Sequence, residues 1–464
     1  MFRLGEGAVG KKKSEWNTRE KKRAEKSGNP LKCCMRILKH FFSDMTKWIE
    51  ETDDPRNPAY ITYTQSDLVY LGILKNLCSV ESMRGMGESF NEEVCIRNLA
   101  KVAGDLQLKE IPHYDTLNYY LEKLSPQAFA DIRTRMVRAL LRSRDFDDSR
   151  IQGKYWRVIL DGTGVSYFKE MHCENCLTAT TVNKDGTKTT QYYHKVLEAK
   201  LVLAENITIS LDTEFIENER EDVAKQDCEI KAAKRLMERL KATFPRMKIC
   251  IQGDALYAAG TIMKICAQNG WKYILTHKKN RQPTVDEFYE QLDDTTDKTR
   301  VAGVGAEKGT GFFYNHLEKY AGKEDVLNIC EYRYEEPGKN GDIIRHRMVW
   351  ITNITLTKSN LGNIINVGRG RWKIENEGFN NQKNILYKIE HLNSRNPQAM
   401  KNHYLLTQIS DIIMQLYLAW DEVHSTIKKG IRNMAAWILE SFRNQLLTDE
   451  DMDWIQKRTS IYLQ

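Results

Sequence analysis

Three acidic residues, Asp161, Asp254 and Glu375, have the chemistry and the spacing to form a metal site. Asp161 follows the apolar, β-prone run 155–160, and Asp254 follows a second apolar run, 248–253. Mg²⁺ prefers oxygen ligands, and two such ions about 3.5–4 Å apart can stabilise both the attacking and the leaving oxygen of a phosphoryl displacement. These acids are therefore candidate ligands of a two-metal site for phosphoryl transfer.

Each acid also has an ordinary structural interpretation. Asp161-Gly162 is a common hairpin-turn pair, and Asp254 could cap a helix, a role that contributes about 1 kcal/mol. Glu375 lies four residues after Arg371, so the two could form a surface ion pair that contributes roughly 0.2–0.5 kcal/mol. The choice depends on whether the predicted fold places the three acids side by side.

The elements predicted between residues 155 and 388 form a mixed sheet covered by helices. Apolar runs predict five strands, at 155–160, 195–204, 207–216, 248–255 and 272–277. Helical spacing predicts helices at 222–243, 258–269 and 362–388. This order is that of the ribonuclease H-like α/β fold, in which strands one and four are neighbours and a late helix packs over them.

The late helix places Glu375 at the border of a predicted apolar stripe. Four residues spaced seven apart form that stripe and should face the core: Ile365, Trp372, Phe379 and Leu386. All three acids would then meet at one end of the sheet. The predicted position in the sheet therefore favours metal binding over the turn, the cap and the surface pair.

The whole chain divides into six predicted segments around this core. They are a basic arm (1–39), a helical and DNA-binding region (40–150), the first part of the core (151–284), a β-rich insertion (285–345), the second part of the core with Glu375 (346–395), and a helical C-terminal region that could form a dimer (396–464).

Composition and charge exclude some classes of protein. No apolar run approaches the roughly 18 residues of a membrane span, and the polar N-terminus does not have the apolar core of a signal peptide, which together predict a cytoplasmic protein. Ten cysteines without a disulfide-framework pattern agree with a reducing compartment. Residues 1–50 contain 13 Lys and Arg against 6 Asp and Glu, which accounts for the net charge of +7. Such an arm suits nucleic-acid phosphates, or it is a solvated tail.

Two further groups of residues are candidate binding sites. His172, Cys173 and Cys176, together with His194, could bind Zn²⁺ as a Cys₂His₂ site, or they are unmetallated side chains on a loop. A basic turn follows the fifth predicted strand and could contact phosphate or be an ordinary solvated turn. It consists of Lys278, Lys279 and Arg281.

The stretches DGTG, GDALYA and RWKIENEGFNNQK, in this order and spacing, resemble the motifs of insertion-sequence DDE transposases. The likeness is strongest to the branch whose late motif is Y-x₂-R-x₃-E-x₆-K. It implies that Asp161, Asp254 and Glu375 are catalytic and bind Mg²⁺ (or Mn²⁺), and that Arg371 contacts a phosphate near the cleaved end. The Tyr and Lys positions of that motif are Gly368 and Gln382 here. Lys383, one residue later, is a substitute DNA contact.

The resemblance implies a transposase that acts on double-stranded DNA. Such an enzyme binds terminal inverted repeats, cuts at the ends of the element and joins them to target DNA, here as a homodimer in a synaptic complex. Two other functions stay open from the sequence. One is a DNA-binding protein that derives from such an enzyme and no longer cleaves, and the other is a ribonuclease H-like nuclease.

Overall fold

The computed structural model describes residues 28–218, 226–317, 327–338, 340–421, 423, 430–457 and 461–463. Most of the predicted basic arm lies outside these ranges. Its last part is not an arm, because Pro30–Phe41 form a helix that buries Leu31, Ile37 and other apolar residues against the C-terminal helices. The prediction that the arm extends to residue 39 is therefore wrong at that end.

Helices make up most of residues 28–150, as predicted for 40–150. One boundary between helices lies at Ser125, whose side chain caps a helix that has Pro126 in its first turn. The helices are α1 (Pro30–Phe41), α2 (Met45–Glu50), α3 (Gln65–Leu77), α4 (Met83–Ser89), α5 (Glu93–Ala103), α6 (Tyr114–Lys123) and α7 (Pro126–Ser143).

The strands form one mixed sheet of ten strands. Alternation of apolar and polar residues is weak in the central strands, because helices cover both of their faces. The strands are β1 (Trp156–Phe168), β2 (Leu177–Val182), β3 (Lys188–Ala204), β4 (Ile207–Ile216), β5 (Ile249–Gly253), β6 (Lys272–Thr276), β7 (Thr299–Val304), β8 (Gly309–Tyr314), β9 (Asn328–Pro337) and β10 (Ile343–Thr352).

The centre of the sheet has the ribonuclease H-like order that the sequence predicts. β1 pairs antiparallel with β3, which pairs antiparallel with β4, while β1, β5 and β6 run parallel. The connections after β4 and β5 contain helices α8 (Glu229–Thr243) and α9 (Gly260–Asn269). The predicted α/β fold class is confirmed, with β1 and β5 as direct neighbours.

The first strand is longer than predicted. β1 continues through Asp161 to Phe168, so DGTG is not a turn but the middle of a strand paired with β3. Neighbouring side chains leave little space for a Cβ at either glycine, and the pairing with β3 shifts register just after Gly164. A Cβ on Gly162 would lie 2.6 Å from the carboxyl of Glu229, and one on Gly164 would overlap the Tyr167 hydroxyl. The first contact comes from Glu229, far from DGTG in the chain, and the second from Tyr167, three residues after Gly164 on the same strand.

Residues 285–345, predicted as a β-rich insertion, contain mostly strands, and these strands extend the central sheet. A short helix, α10 (Pro283–Gln291), comes first, and β7, β8 and β9 then extend the same sheet beyond β10. β10 leads back to the core, because it pairs antiparallel with β6. The whole sheet is therefore continuous from the hairpin β2–β3 to β7.

The predicted late helix 362–388 is two helices. α11 (Leu361–Arg369) ends at Gly370, and a π-helix (Ile374–Ile385) follows after a turn. The break changes the apolar stripe. Phe379 and Leu386 are buried as predicted, but Trp372 is 58% exposed, because it lies in the connection between the two helices. The prediction that Trp372 faces the core is wrong.

The C-terminal helices are α12 (Pro397–Ala419), α13 (Ile431–Asn444) and α14 (Asp449–Gln456). α12 is buried along its length between β4 and the N-terminal helices α3, α6 and α7. One apolar core therefore includes the N-terminal helices, the sheet and the C-terminal helices, and α12 does not offer a free face to a second subunit. Within the described part of the chain, no helix combines the length and the apolar character needed to cross a bilayer.

Candidate active site

Asp161 and Asp254 lie at the same edge of the sheet. β1 and β5 are paired in parallel up to Ile159 and Gln252. Continuing that register by two residues places Asp254 opposite Asp161, and neighbouring strands lie about 4.8 Å apart. β5 ends at Gly253, so Asp254 is the first residue beyond the strand. The sheet thus positions two carboxylates without help from a long loop.

Asp254 does not cap the helix that follows it. Its Oδ1 accepts a hydrogen bond from the N–H of Leu256 at 2.8 Å, within a turn that precedes α9. The N-cap residue of α9 is Ala259. No described residue donates a hydrogen bond to Oδ2 of Asp254, which leaves that oxygen available to a ligand.

The π-helix crosses the face of β1 that carries Asp161. Ile374 and Phe379 pack on Ile159, and alternation along the strand places Ile159 and Asp161 on the same face. Glu375 is next to the buried Ile374, and its own side chain is 45% exposed. π-helices are rare, but those that occur are frequently found at functional sites. Here it presents Glu375 beside the edge that holds Asp161.

Arg371 lies between two of the acids. Its Nη1 is 2.7 Å from Oε1 of Glu375 and 3.9 Å from Oδ2 of Asp161. The Arg371 side chain is only 16% exposed, so this is not the simple surface pair that the i, i+4 spacing also allowed. The guanidinium supplies the positive charge between Asp161 and Glu375.

The environment of Asp161 raises its pKa. Burial raises the pKa to about 6, the negative charges of Glu229 and Glu375 add to the rise, and the Arg371 charge and the N–H of Gly162 oppose it. Strong shifts of this kind, caused by burial and by specific charged neighbours, are concentrated at functional sites. The Asp161 carboxylate therefore lies where a further cation would be stabilised.

A fourth acid, Glu229, adjoins this edge, and the sequence analysis assigns it no role. It begins α8, accepts a hydrogen bond from the Tyr257 hydroxyl at 2.6 Å, and is in contact with the Lys195 ammonium. Tyr257 is fully buried, and burial followed by the charge of Glu229 raises its pKa well above the ordinary value. An acid in the first turn of a helix looks like an ordinary dipole partner, so only the fold reveals that Glu229 lies next to Gly162.

Asp161, Asp254 and Glu375, together the carboxylate site, share one edge but do not form a compact group. Among the described residues, a single set of three or more His, Cys, Asp or Glu side chains has all its ligand atoms within 4.8 Å of one another, and it is Cys173, Cys176 and His194. Like charges repel at short range, which keeps unpaired carboxylates apart. The three carboxylates therefore line one surface and do not surround a single point.

The sequence matches the model of a family described as the transposase DDE domain, over residues 152–410 and thus over more than half of the chain. The chain belongs to this family of transposases. A comparison with curated proteins gives no match. The chain also resembles a solved piggyBac transposase in a synaptic complex with hairpin DNA, with 10% sequence identity, a TM-score of 0.41, and coverage of 93% of this chain and 83% of that one.

All three acids of the carboxylate site lie within the matched range of this transposase. At two positions the structure explains why the late motif departs from the expected pattern. A Cβ on Gly368 would lie 2.7 Å from the indole of Trp350, so Tyr cannot occupy this position. Gln382 is fully buried and its Nε2 donates to Asp411 at 2.8 Å and to Gln408 at 3.0 Å. Gln382 therefore belongs to the interior of the transposase.

The basic residues predicted to contact DNA differ in their surroundings. Lys278, Lys279 and Arg281 are exposed and follow β6, whose parallel pairing with β5 places them at the same edge of the transposase as Asp254. Asp286 anchors this turn, because its carboxylate binds His277 and the N–H of Asn280, both at 2.7 Å. The turn thus holds three cations toward solvent.

Lys383 is arranged differently from those three cations. Its ammonium is 2.7 Å from Glu390, and its side chain is 23% exposed. The structure therefore does not present Lys383 as an unpaired cation on the surface of the transposase.

Three of the four predicted zinc ligands come together in what we term the Cys–His cluster: Cys173, Cys176 and His194. The two sulfurs are 3.8 Å apart, and Nε2 of His194 is 3.4 Å from one and 3.6 Å from the other. His172 does not join this group. Its Nε2 lies 2.8 Å from the carbonyl oxygen of Arg395, and its ring stacks on Phe168.

Proposed function

We propose that this transposase cleaves double-stranded DNA at the terminal inverted repeats of an insertion sequence and joins the ends to target DNA. The observation that carries the proposal is the carboxylate site. Two of its acids share one register at the edge of the sheet, and Arg371 connects Asp161 with Glu375 across that edge. Membership of the DDE family makes divalent ions the expected cofactor.

The residues present fit Mg²⁺ or Mn²⁺. The three side chains offer only carboxylate oxygens, which are the ligands that such hard cations prefer. Oδ2 of Asp254 receives no hydrogen bond from the described residues, and the Asp161 carboxylate already lies against a cationic group. Bound ions would activate the attacking oxygen and stabilise the leaving oxygen of the phosphodiester.

The protein's own groups prepare this chemistry. Asp161 has to lose a proton to bind a cation, and its pKa of about 6 allows this at neutral pH. Arg371 pairs with the carboxylates while they have no other cation, and it is free to pair with a DNA phosphate once they are neutralised. Glu229, held by Tyr257 and Lys195, keeps a further negative charge beside Asp161.

DNA would approach the edge where these side chains lie. The exposed turn with Lys278, Lys279 and Arg281 follows the strand next to Asp254, so a phosphate backbone that passes the carboxylate site would also meet these cations. The basic residues of the N-terminal arm would add contacts that are independent of DNA sequence. Pairing of two element ends implies two subunits, and the reaction would take place in the cytoplasm at the nucleoid.

The substitution Asp161→Asn tests the proposal, because it keeps the shape of the side chain and removes its charge. We expect wild-type protein to nick a duplex that carries the terminal inverted repeat in the presence of Mg²⁺, and the variant to bind that duplex but not to nick it. Asp53→Asn, an exposed acid far from β1 in sequence, is the matched control and should cut like wild type. Cleavage by the Asp161→Asn protein at the wild-type rate would show that the carboxylate site is not catalytic. End-specific binding by the wild type without cleavage at any Mg²⁺ or Mn²⁺ concentration would instead indicate a DNA-binding descendant of a transposase.

A further inference from the structure

The Cys–His cluster lies at the base of the β2–β3 hairpin, away from the carboxylate site. We infer that the Cys–His cluster binds one structural Zn²⁺ through the two thiolates of Cys173 and Cys176 and through Nε2 of His194. The inference is independent of the proposed reaction, because it rests on different residues and different ligand chemistry.

The distances within the cluster are those of a tetrahedral zinc site. Zn–S bonds of about 2.3 Å and Zn–N bonds of about 2.0–2.1 Å at tetrahedral angles separate two sulfurs by about 3.8 Å, and a sulfur from a nitrogen by about 3.6 Å. The observed separations are 3.8 Å for the two sulfurs and 3.4 and 3.6 Å for each sulfur and Nε2. The three ligand atoms therefore already outline one face of a tetrahedron.

The surrounding backbone holds the ligands in place. The N–H of Cys176 donates to the carbonyl of Cys173 at 3.2 Å, which closes the turn between the two cysteines. Asn218, at the end of β4, donates from its side chain to the carbonyl of Cys176 at 2.8 Å. His194 lies within β3, and Cys176 and His194 are nearly fully buried. This turn, with its S/N ligands and its C-x₂-C spacing, selects zinc over Mg²⁺.

His172 supplies the fourth ligand when the metal binds. Its Nε2–H donates to the Arg395 carbonyl at 2.8 Å, so a neutral ring carries its lone pair on Nδ1. A second ring nitrogen that donates to a backbone carbonyl is the usual support of a metal-binding histidine. His172 is next to Cys173 in the chain and its ring centroid lies 6.4 Å from that of His194, so its Nδ1 is the donor that we assign to the fourth position.

The cluster would stabilise the hairpin rather than take part in catalysis. His194 is paired with Ser166, five residues after Asp161 on β1, which corresponds to roughly 16 Å along the strand. Cys176 directly precedes β2, and most of the hairpin residues between Thr178 and Gln191 are exposed. A metal that joins the end of β1, the start of β2 and the middle of β3 would fix the direction in which this hairpin projects.

Metal analysis of the purified, DNA-free protein tests the inference. We expect about one zinc per chain after dialysis against metal-free buffer, and near-background zinc in Cys173→Ser, Cys176→Ser and His194→Ala. His172→Ala should bind zinc about 10–100-fold more weakly. Cys266→Ser is the matched control, because it changes an equally buried cysteine on α9. This variant should retain about one zinc per chain.

Two measurements on wild-type protein keep the inference testable if a ligand variant does not fold. Titration of the thiols with an organomercurial should release the zinc, and Co²⁺ added to the stripped protein should give the visible absorption of tetrahedral cobalt with a thiolate charge-transfer band. Protein without zinc that gives no cobalt spectrum, a Cys173–Cys176 disulfide in protein isolated under reducing conditions, or full zinc content in the Cys173→Ser/Cys176→Ser double variant would each overturn the inference.

Discussion

The carboxylate site and the Cys–His cluster both consist of residue types that can bind metals, but the fold brings their ligand atoms together to different degrees. The cluster has its three ligand atoms within 4.8 Å of one another, and all three come from a turn and a neighbouring strand. The acids of the carboxylate site come from the middle of β1, the residue after β5 and the π-helix. Their oxygens lie farther apart than the ligand atoms of the cluster, and Arg371 lies between two of them. Thiols and imidazole without a metal are neutral and tolerate proximity, whereas carboxylates repel one another.

This difference suggests two roles for metal. A preformed and buried set of ligands suits an ion that is bound once and held, as structural zinc is. An open set of charged oxygens suits ions that arrive with an anionic substrate, because each binding partner offsets the charge of the other. Substitutions in each site can separate these two roles.

The first prediction compares Glu375→Gln with Cys176→Ser. Glu375→Gln should reduce Mg²⁺-dependent nicking on the order of 10³-fold, since loss of a metal ligand removes several kcal/mol of transition-state stabilisation, and it should keep one zinc per chain. Cys176→Ser should lose the zinc and retain most of the nicking activity per folded molecule. Nicking assays and metal analysis on the same preparations check both. The opposite pattern would show that the sites have been assigned to the wrong roles.

The second prediction concerns Arg371, which is bound to the carboxylates in the absence of metal. Arg371→Ala should bind Mn²⁺ more tightly than wild type when DNA is absent, because no guanidinium competes for Asp161 and Glu375. The same variant should nick DNA about 10–100-fold more slowly, because it loses a charged contact worth roughly 1.5–3 kcal/mol. Mn²⁺ titration followed by electron paramagnetic resonance measures the first effect, and single-turnover nicking measures the second.

A matched control for Arg371 is Arg369→Ala. Arg369 is also a half-buried arginine paired with a carboxylate, but its partner is Glu307 at the far end of the sheet. The Arg369→Ala substitution should change neither Mn²⁺ binding nor zinc content. Weaker Mn²⁺ binding by Arg371→Ala would contradict the idea that the guanidinium and the ions compete for the same carboxylates.

The third prediction follows from the pKa of Asp161. Because that pKa is raised to about 6, the folded protein holds a proton on Asp161 below this pH, and the proton must leave before a cation binds. Mg²⁺ affinity should therefore be constant above about pH 7 and fall up to about tenfold per pH unit below 6. Since the Arg371 charge lowers this pKa, Arg371→Ala should move the inflection to higher pH. Calorimetric Mg²⁺ titrations between pH 5 and 8 check the direction of both changes, and an inflection near pH 4 would contradict it.

The sequence predicts the sheet and the edge where Asp161 and Asp254 lie, because long apolar runs specify the central strands and their order. It does not predict the local features that depend on distant contacts. DGTG has the composition of a turn, and the proximity of Glu229, far along the chain, explains why Gly162 occurs within a strand. Likewise a heptad pattern assumes an unbroken α-helix, so it cannot foresee the break at Gly370, the π-helix or the exposure of Trp372.

The Cys–His cluster shows the opposite case. Two cysteines at x₂ spacing limit the geometry of their turn so strongly that the sequence alone suggests a metal site, and the position of His194 opposite the end of β1 needs only the pairing of two neighbouring strands. The more local the contacts of a site are, the more of it is predictable from spacing. Glu229 contacts Lys195 on β3 and lies against Gly162 on β1, and both residues are more than thirty positions away in the chain. No spacing rule points to it.

The smallest expected effect tests whether Glu229 is held rigidly beside the carboxylate site. Gly162→Ala would place a Cβ 2.6 Å from the Glu229 carboxyl and 2.9 Å from Cε of Lys195. A free side-chain end would move away at little cost, but Glu229 is held by Tyr257 and Lys195, and leaving them loses a charged hydrogen bond. We expect Gly162→Ala to lower the free energy of unfolding by about 1–2 kcal/mol in urea denaturation.

Gly378→Ala is the matched control within the same layer of the protein. A Cβ there would lie 3.7 Å from Ile374, an ordinary contact, so the substitution should leave stability unchanged or raise it by about 0.5–1 kcal/mol, because alanine restricts the unfolded chain more than glycine does. Neither variant should change the zinc content, although Gly162 lies on β1, the strand that leads to the Cys–His cluster. If Gly162→Ala were as stable as Gly378→Ala, Glu229 would be free to move, and its charge would not be a fixed part of the surroundings that raise the pKa of Asp161.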